Sequence, residues 1–89
     1  MMASITEPER ANLLARVLFS DLVVYGGDQI RIGLEKDDLL ERFAGEIERA
    51  RVFYQHNVAA SVPDRERIFL HALVDVLIYG NRRVVTHIW

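Results

Sequence analysis

A short pattern that occurs twice constrains the fold of this chain more than any other feature. Residues 21–27 read Asp-Leu-Val-Val-Tyr-Gly-Gly, and residues 75–81 read Asp-Val-Leu-Ile-Tyr-Gly-Asn. A Pro-acid-Arg sequence lies upstream of each copy, at residues 8–10 and 63–65. The chain of 89 residues therefore has two similar halves, each with a polar start, an apolar run and a glycine stop.

Each half carries the signals of a capped helix. Thr6 and Glu9 match a capping box with a proline in the first turn, and residues 61–64 repeat this arrangement. Because glycine commonly ends helices, we predict helices over about residues 7–25 and 62–79. The apolar residues at helical spacing in the first half are Leu14, Val17, Leu18, Leu22 and Tyr25.

The middle of the chain predicts a third helix, over about residues 37–56. Its apolar seam repeats at intervals of three and four residues and consists of Leu40, Phe43, Ile47, Ala50 and Tyr54. Two heptads are too short for a stable isolated coiled coil, so we expect this seam to pack inside the domain or in a dimer.

The glycines leave a β alternative open. Ile30, Ile32 and Leu34 alternate with other residues, which is typical of a strand. We predict an all-α fold in one domain, 1–89, with three main helices, a short irregular or helical connection near 26–36 and an extended tail, 82–89. The alternative is an α+β fold with hairpins that turn at Gly26-Gly27 and Gly80-Asn81.

The chain is too apolar to bury all its hydrophobic residues alone. These residues make up 51% of the sequence, and a domain of this size has much surface relative to its volume. We therefore expect contact with a second copy, as a dimer, or with a larger protein partner. The candidate interface residues are Leu40, Phe43, Ile47 and Tyr54 on the seam and Val84, Val85, Ile88 and Trp89 on the tail. The tail could instead dock on the core.

Charge and targeting signals favour a cytoplasmic protein without a nucleic-acid or membrane role. The net charge is −2, which does not attract polyanions. The arginines Arg65, Arg67, Arg82 and Arg83 are the one feature that points to nucleic acid, and acidic residues interrupt them. The longest apolar runs are far shorter than a membrane span, and residues 1–7 lack the regions of a signal peptide.

No pattern indicates catalysis, a cofactor or a metal ion. Cysteine is absent, and His56, His71 and His87 lack metal-ligand spacing. Ser20-Asp21 lacks the surroundings of a nucleophile elbow. In each repeat Asp and Tyr are four residues apart, so on a helix they share a face. The acid could accept from its own Tyr or from a neighbouring segment, and we interpret this as a structural hydrogen bond at the rim of the core. We expect His71 to be a partly buried packing residue.

Residues 15–25, Ala-Arg-Val-Leu-Phe-Ser-Asp-Leu-Val-Val-Tyr, resemble an uncharacterised helical module that forms a tail on bacterial multidomain regulatory proteins. That module reads roughly Ala-Arg-x-Leu-x-Ser-Asp-Ile-x-x-Tyr and continues to a charged helix that ends in Tyr, as residues 39–54 do here. The sequence departs from it at Gly26-Gly27 and at residues 84–89. The resemblance implies a mainly helical fold and a bacterial regulatory or assembly context, with no site residues.

Together these observations predict a non-catalytic interaction or oligomerisation module. Two alternatives remain: a small nucleic-acid-binding regulator, and a small enzyme whose site forms between subunits.

Overall fold

The computed structural model describes residues 4–79, and within this range the secondary structure is helical apart from one isolated β-bridge. The all-α prediction is confirmed. The helices are α1 (Pro8–Gly26), α2 (Asp28–Lys36), α3 (Leu39–Arg42), α4 (Ala44–Asn57) and α5 (Arg65–Leu73), and a π-helical segment (Val74–Tyr79) continues α5.

The two sequence repeats form neighbouring helices that run in the same direction. Pro8 and Pro63, at the two helix starts, line one surface depression, and Arg16 further along α1 pairs with Asp75 beyond α5. Small residues at the interface, Ala15 and Ala72, are fully buried. Small side chains allow the helix backbones to approach closely, so the repeats pack directly against each other.

Helix α4 runs in the opposite direction to α1 and completes the core. Phe43 before α4 lies against the end of α1, whereas Ile5 before α1 pairs with Val58 after α4. The Ile5 amide donates to the Asn57 carbonyl at 2.8 Å, and the Ala59 amide donates to the Ile5 carbonyl at 2.8 Å. This parallel bridge ties the chain before α1 to the loop after α4.

The hairpin alternative at Gly26-Gly27 is wrong, because helices lie on both sides of the turn. Gly27 has a φ of 51°, a conformation that glycine adopts without steric cost, and it separates α1 from α2. Gly26 allows Ile30 and Phe43 to pack closely, since a Cβ there would lie 2.8 Å from Ile30 Cγ1. The connection near 26–36 is thus mostly helix α2.

The helix predicted over 37–56 is broken in two. Asp37 is in the left-handed region with a φ of 60°, so the first helical residue is Leu39. At Phe43 the backbone leaves helical geometry, with a φ of −110° and a ψ of 20°, and α4 begins at Ala44. The seam of the sequence therefore spans two helices.

The starts of the two repeat helices also differ from prediction. The N-cap of α1 is Glu7 instead of Thr6, and neither it nor Asp64, the N-cap of α5, makes a side-chain capping hydrogen bond. Asp64 has a φ of 56°, so α5 begins at Arg65, three residues later than predicted. The π-helical Val74–Tyr79 removes the first strand of the second hairpin alternative. Gly80-Asn81 and the predicted tail 82–89 lie outside the described residues.

Candidate interaction surface

Most of the predicted seam belongs to the core of this chain. Tyr54 is fully buried, Phe43 is 7% exposed and Ile47 packs against the core. Phe43 and Tyr54 are therefore covered within the fold and Ile47 is partly covered, while a role for these residues between two copies stays a prediction. Leu40 differs, because this residue of α3 is 48% exposed. A role for Leu40 at an interface stays a prediction.

Three aromatic rings explain why Tyr54 is buried. Phe69 lies 5.0 Å from both Phe19 and Tyr54 between ring centroids, so the rings join α1, α4 and α5. The Tyr54 hydroxyl donates to the Arg65 carbonyl at 2.8 Å. Burial, reinforced by the charge of Glu66 and opposed by that of Arg65, raises the pKa of Tyr54. Tyr54 therefore belongs to the core, and its hydroxyl already has a hydrogen-bond acceptor in the same chain.

An exposed apolar stripe runs along the outer side of α1. Leu13, Val17 and Val24 are 62%, 48% and 78% exposed. Since successive residues of a helix are rotated by about 100°, these three side chains lie within about 40° of one another. The same rotation places them about 180° from the buried Ala15. Helix α1 is therefore apolar on two opposite faces; we call the outer one the α1 stripe.

The helical pattern of the sequence did not predict the α1 stripe. That pattern places Val17 on the core-facing side and includes neither Leu13 nor Val24. A signal was present, because positions 13, 17, 20 and 24 are spaced four, three and four apart, as in a heptad, with Ser20 as the polar member. Small Ala11 and Ala15 occupy the core side instead, and sequence reasoning gave them no weight.

Among the described residues, the repeated Asp and Tyr residues are not hydrogen-bonded to each other, and Asp75 shows the other predicted arrangement, a bond from a neighbouring segment. Tyr25 is 89% exposed and Tyr79 is 58% exposed, so neither ring lies at the rim of the core. Asp75 instead accepts from Arg16 at 3.3 Å and lies 3.7 Å from His71 Nδ1. His71 is itself exposed, contrary to prediction. The repeated pattern therefore corresponds to two similar helices, but its Asp and Tyr side chains have different surroundings in the two copies.

The two described members of the candidate basic face, Arg65 and Arg67, do not form a shared basic surface. Arg65 Nη1 donates to the Val58 carbonyl at 2.8 Å, which directs this side chain toward the backbone, whereas Arg67 is exposed. Arg82, Arg83 and His87 lie outside the described residues. Across residues 4–79, no group of three or more acidic or histidine side chains is arranged to hold a metal ion.

A cleft of about 420 Å³ lies where α2, α3 and the π-helical segment meet. Its acidic members are Asp37, Asp38 and Glu41, and its apolar walls include Leu34, Leu40 and Ile78. We call it the acidic cleft. Asp38 is already paired with Arg42, at 2.9 Å and 3.1 Å. Neither of the other two acids makes an ion pair with any described residue.

Among residues 4–79, no helix combines the length and the hydropathy needed to span a membrane. Comparison with protein-family models, with curated proteins and with solved structures gave no match to this chain.

Proposed function

We propose that this chain is a non-catalytic module that self-associates through the α1 stripe and acts as a cytoplasmic regulatory or assembly subunit. The observation that carries the proposal is the exposed row of Leu13, Val17 and Val24 opposite the core. Contiguous apolar residues on one exposed helix face are typical of protein interaction sites. The resemblance of residues 15–25 and 39–54 to a tail module of bacterial regulatory proteins supports the regulatory context.

A second copy of the chain fits this surface by its charges. In heptad terms, Leu13 and Ser20 take position d, and Val17 and Val24 take position a. Arg16 and Asp21 then lie at g and e, five residues apart, on opposite sides of the stripe. In a parallel helix pair, this spacing places Arg16 of each copy beside Asp21 of the other. Valine at position a also favours two-stranded pairing.

Arg16 can serve both partners. Its guanidinium has five N–H donors, and the contact with Asp75 uses Nη1 at 3.3 Å. Asp21 is exposed and makes no ion pair within residues 4–79. A dimer could therefore add two ion pairs without breaking the contact between α1 and the π-helical segment.

The expected association is weak. Complete burial of an aliphatic side chain contributes about 1.5–3 kcal/mol, so three half-exposed residues on each of two copies contribute roughly 6 kcal/mol. Association itself costs about 4–15 kcal/mol in lost freedom. The two figures are of similar size, so the three side chains alone account for a dimer only at about millimolar or higher concentration, and ion pairs and contacts from further residues decide its affinity.

The test is the mass in solution as a function of concentration. Sedimentation or light scattering should show a rise from monomer to dimer for the unchanged chain. Val17→Asp should keep the protein monomeric, because it places a charge in the centre of the stripe. Val52→Asp is the matched control, since Val52 is 45% exposed on α4, outside the stripe.

Two results would overturn the proposal. One is a monomer at every concentration up to the millimolar range. The other is an equal change of mass in Val17→Asp and Val52→Asp, with unchanged helical circular dichroism in both. The register is tested separately by Asp21→Arg, which should weaken a parallel dimer by like-charge contact with Arg16 of the other copy.

A further inference from the structure

The acidic cleft opens beside the point where the described chain ends. Ile78 forms part of its wall, and the next residue, Tyr79, is the last one described. The cleft combines carboxylates with an apolar wall, and its described lining includes no basic side chain. A segment that binds there needs positive charge followed or preceded by apolar residues.

Residues 80–89 of the same chain have that composition. They read Gly-Asn-Arg-Arg-Val-Val-Thr-His-Ile-Trp, so a pair of arginines comes first and apolar residues follow. We propose that this segment occupies the acidic cleft of its own chain, with Arg82 and Arg83 against Asp37 and Glu41. Val84 and Val85 then cover the exposed part of Leu40.

The geometry permits this arrangement. Arg82 follows Ile78 by four residues, and an extended chain covers at most about 3.3–3.6 Å per residue, so the arginine backbone can lie up to roughly 13 Å from the cleft wall. Attachment to the same chain gives the segment an effective concentration in about the millimolar range. Even weak contacts would then hold it in place. The proposal is independent of self-association through the α1 stripe.

The local charges support an arginine-bearing occupant. Arg42 already accompanies Asp38, and Lys36 lies in the last turn of α2. Asp37 and Glu41 remain as exposed acids without an ion pair to any described residue. Arg82 and Arg83 would balance these two acids. The apolar residues that follow them would cover the apolar wall of the cleft.

Trp89 provides a direct readout, because it is the only tryptophan of the chain. Its fluorescence reports solely on the segment in question. In the unchanged protein we expect emission at short wavelength and weak quenching by acrylamide, a neutral quencher that is insensitive to the protein charge. Protection should be independent of protein concentration, since the segment and the cleft belong to one molecule.

Charge reversal tests the cleft. Asp37→Arg combined with Glu41→Arg should shift the docked-to-undocked ratio by about tenfold, which corresponds to about 1.4 kcal/mol, and should increase quenching of Trp89. The control, Glu9→Arg with Glu46→Arg, changes the net charge equally at exposed positions outside the cleft and should leave quenching unchanged. Helical circular dichroism verifies that each variant is folded.

The reciprocal change gives the sharper test. Arg82→Glu with Arg83→Glu should expose Trp89 in the unchanged cleft and restore protection in the charge-reversed cleft. The proposal is overturned if Trp89 is fully accessible in the unchanged protein, if cleft and control variants respond equally, or if the combined variant shows no recovery. Protection that is lost on dilution would also overturn it, because the occupant would then be a second copy.

Discussion

Substitution of Gly33 by alanine tests the close contact between α2 and α3. Gly33 is buried in α2, and a Cβ at this position would lie 2.9 Å from the Cα of Leu39 and 3.0 Å from its Cδ1. The nearer atom belongs to the backbone, so it cannot move away by a simple change of rotamer. The start of α3 would have to shift as a unit.

The magnitude follows from two opposing effects. Overpacking of a tight contact costs about 1–3 kcal/mol, whereas replacement of a helical glycine by alanine gains up to about 1 kcal/mol. Gly45 in α4 supplies the matched control, because the nearest atom to its added Cβ is Arg49 Nη1 at 3.7 Å. The helix-propensity gain occurs in both variants, so the difference between them isolates the steric cost. We expect Gly33→Ala to be about 1–3 kcal/mol less stable than Gly45→Ala.

The assay is urea unfolding followed by helical circular dichroism, with the free energy of unfolding extrapolated to water. For a domain of this size, the expected difference corresponds to a gap in melting temperature of about 4–8 °C per kcal/mol. Equal slopes of the two transitions would show that the variants unfold between comparable states. If Gly33→Ala were as stable as Gly45→Ala, the contact between Gly33 and Leu39 would not be tight, and the reasoning would fail.

Three further changes test other parts of the fold, each by the free energy of unfolding. Phe69→Ala should cost about 3–5 kcal/mol, because it removes the ring that joins three helices. Tyr54→Phe should cost about 1 kcal/mol at neutral pH through the lost hydrogen bond to the Arg65 carbonyl. Because burial raises the pKa of Tyr54, the stability of the unchanged protein should fall as pH rises from the ordinary tyrosine value of 10.0 through the folded value, and Tyr54→Phe should remove this dependence. In the Arg82→Glu, Arg83→Glu background, where Asp37 has no proposed contact to lose, Asp37→Gly should stabilise by up to about 1 kcal/mol, since Asp37 has a φ of 60°, whereas Asp38→Gly should destabilise by loss of the pair with Arg42.

Local signals predicted the helix content well. A proline near the start and glycines at the end placed the first helix over 7–25, and α1 is Pro8–Gly26. These signals act within a few residues of a helix terminus, so they can be recognised in the sequence without knowledge of the tertiary contacts. Asp64 has a positive φ, and α5 therefore begins only at Arg65. This backbone conformation depends on how the loop after α4 packs, so the residue type alone does not predict it.

The candidate surface was harder to predict, because it depends on which of two apolar faces meets the core. Helix α1 could have buried Leu13 and Val17 by composition alone. It buries Ala11, Ala15 and Phe19 instead, and Phe19 on this face packs against Phe69 of the parallel neighbour α5. Which face of α1 is buried depends on the helix that packs against it, so the hydrophobic periodicity of α1 alone cannot predict that face.

The parallel arrangement of α1 and α5 also has a consequence for the folding rate. Phe19 and Phe69 are 50 residues apart in the chain, and a long loop must close before they meet. Compared with a hairpin contact about 15 residues apart, closure of a loop of this length costs about 1 kcal/mol more in chain entropy. We therefore expect slower folding than for antiparallel bundles of similar length, with α4 formed before the two repeats come together.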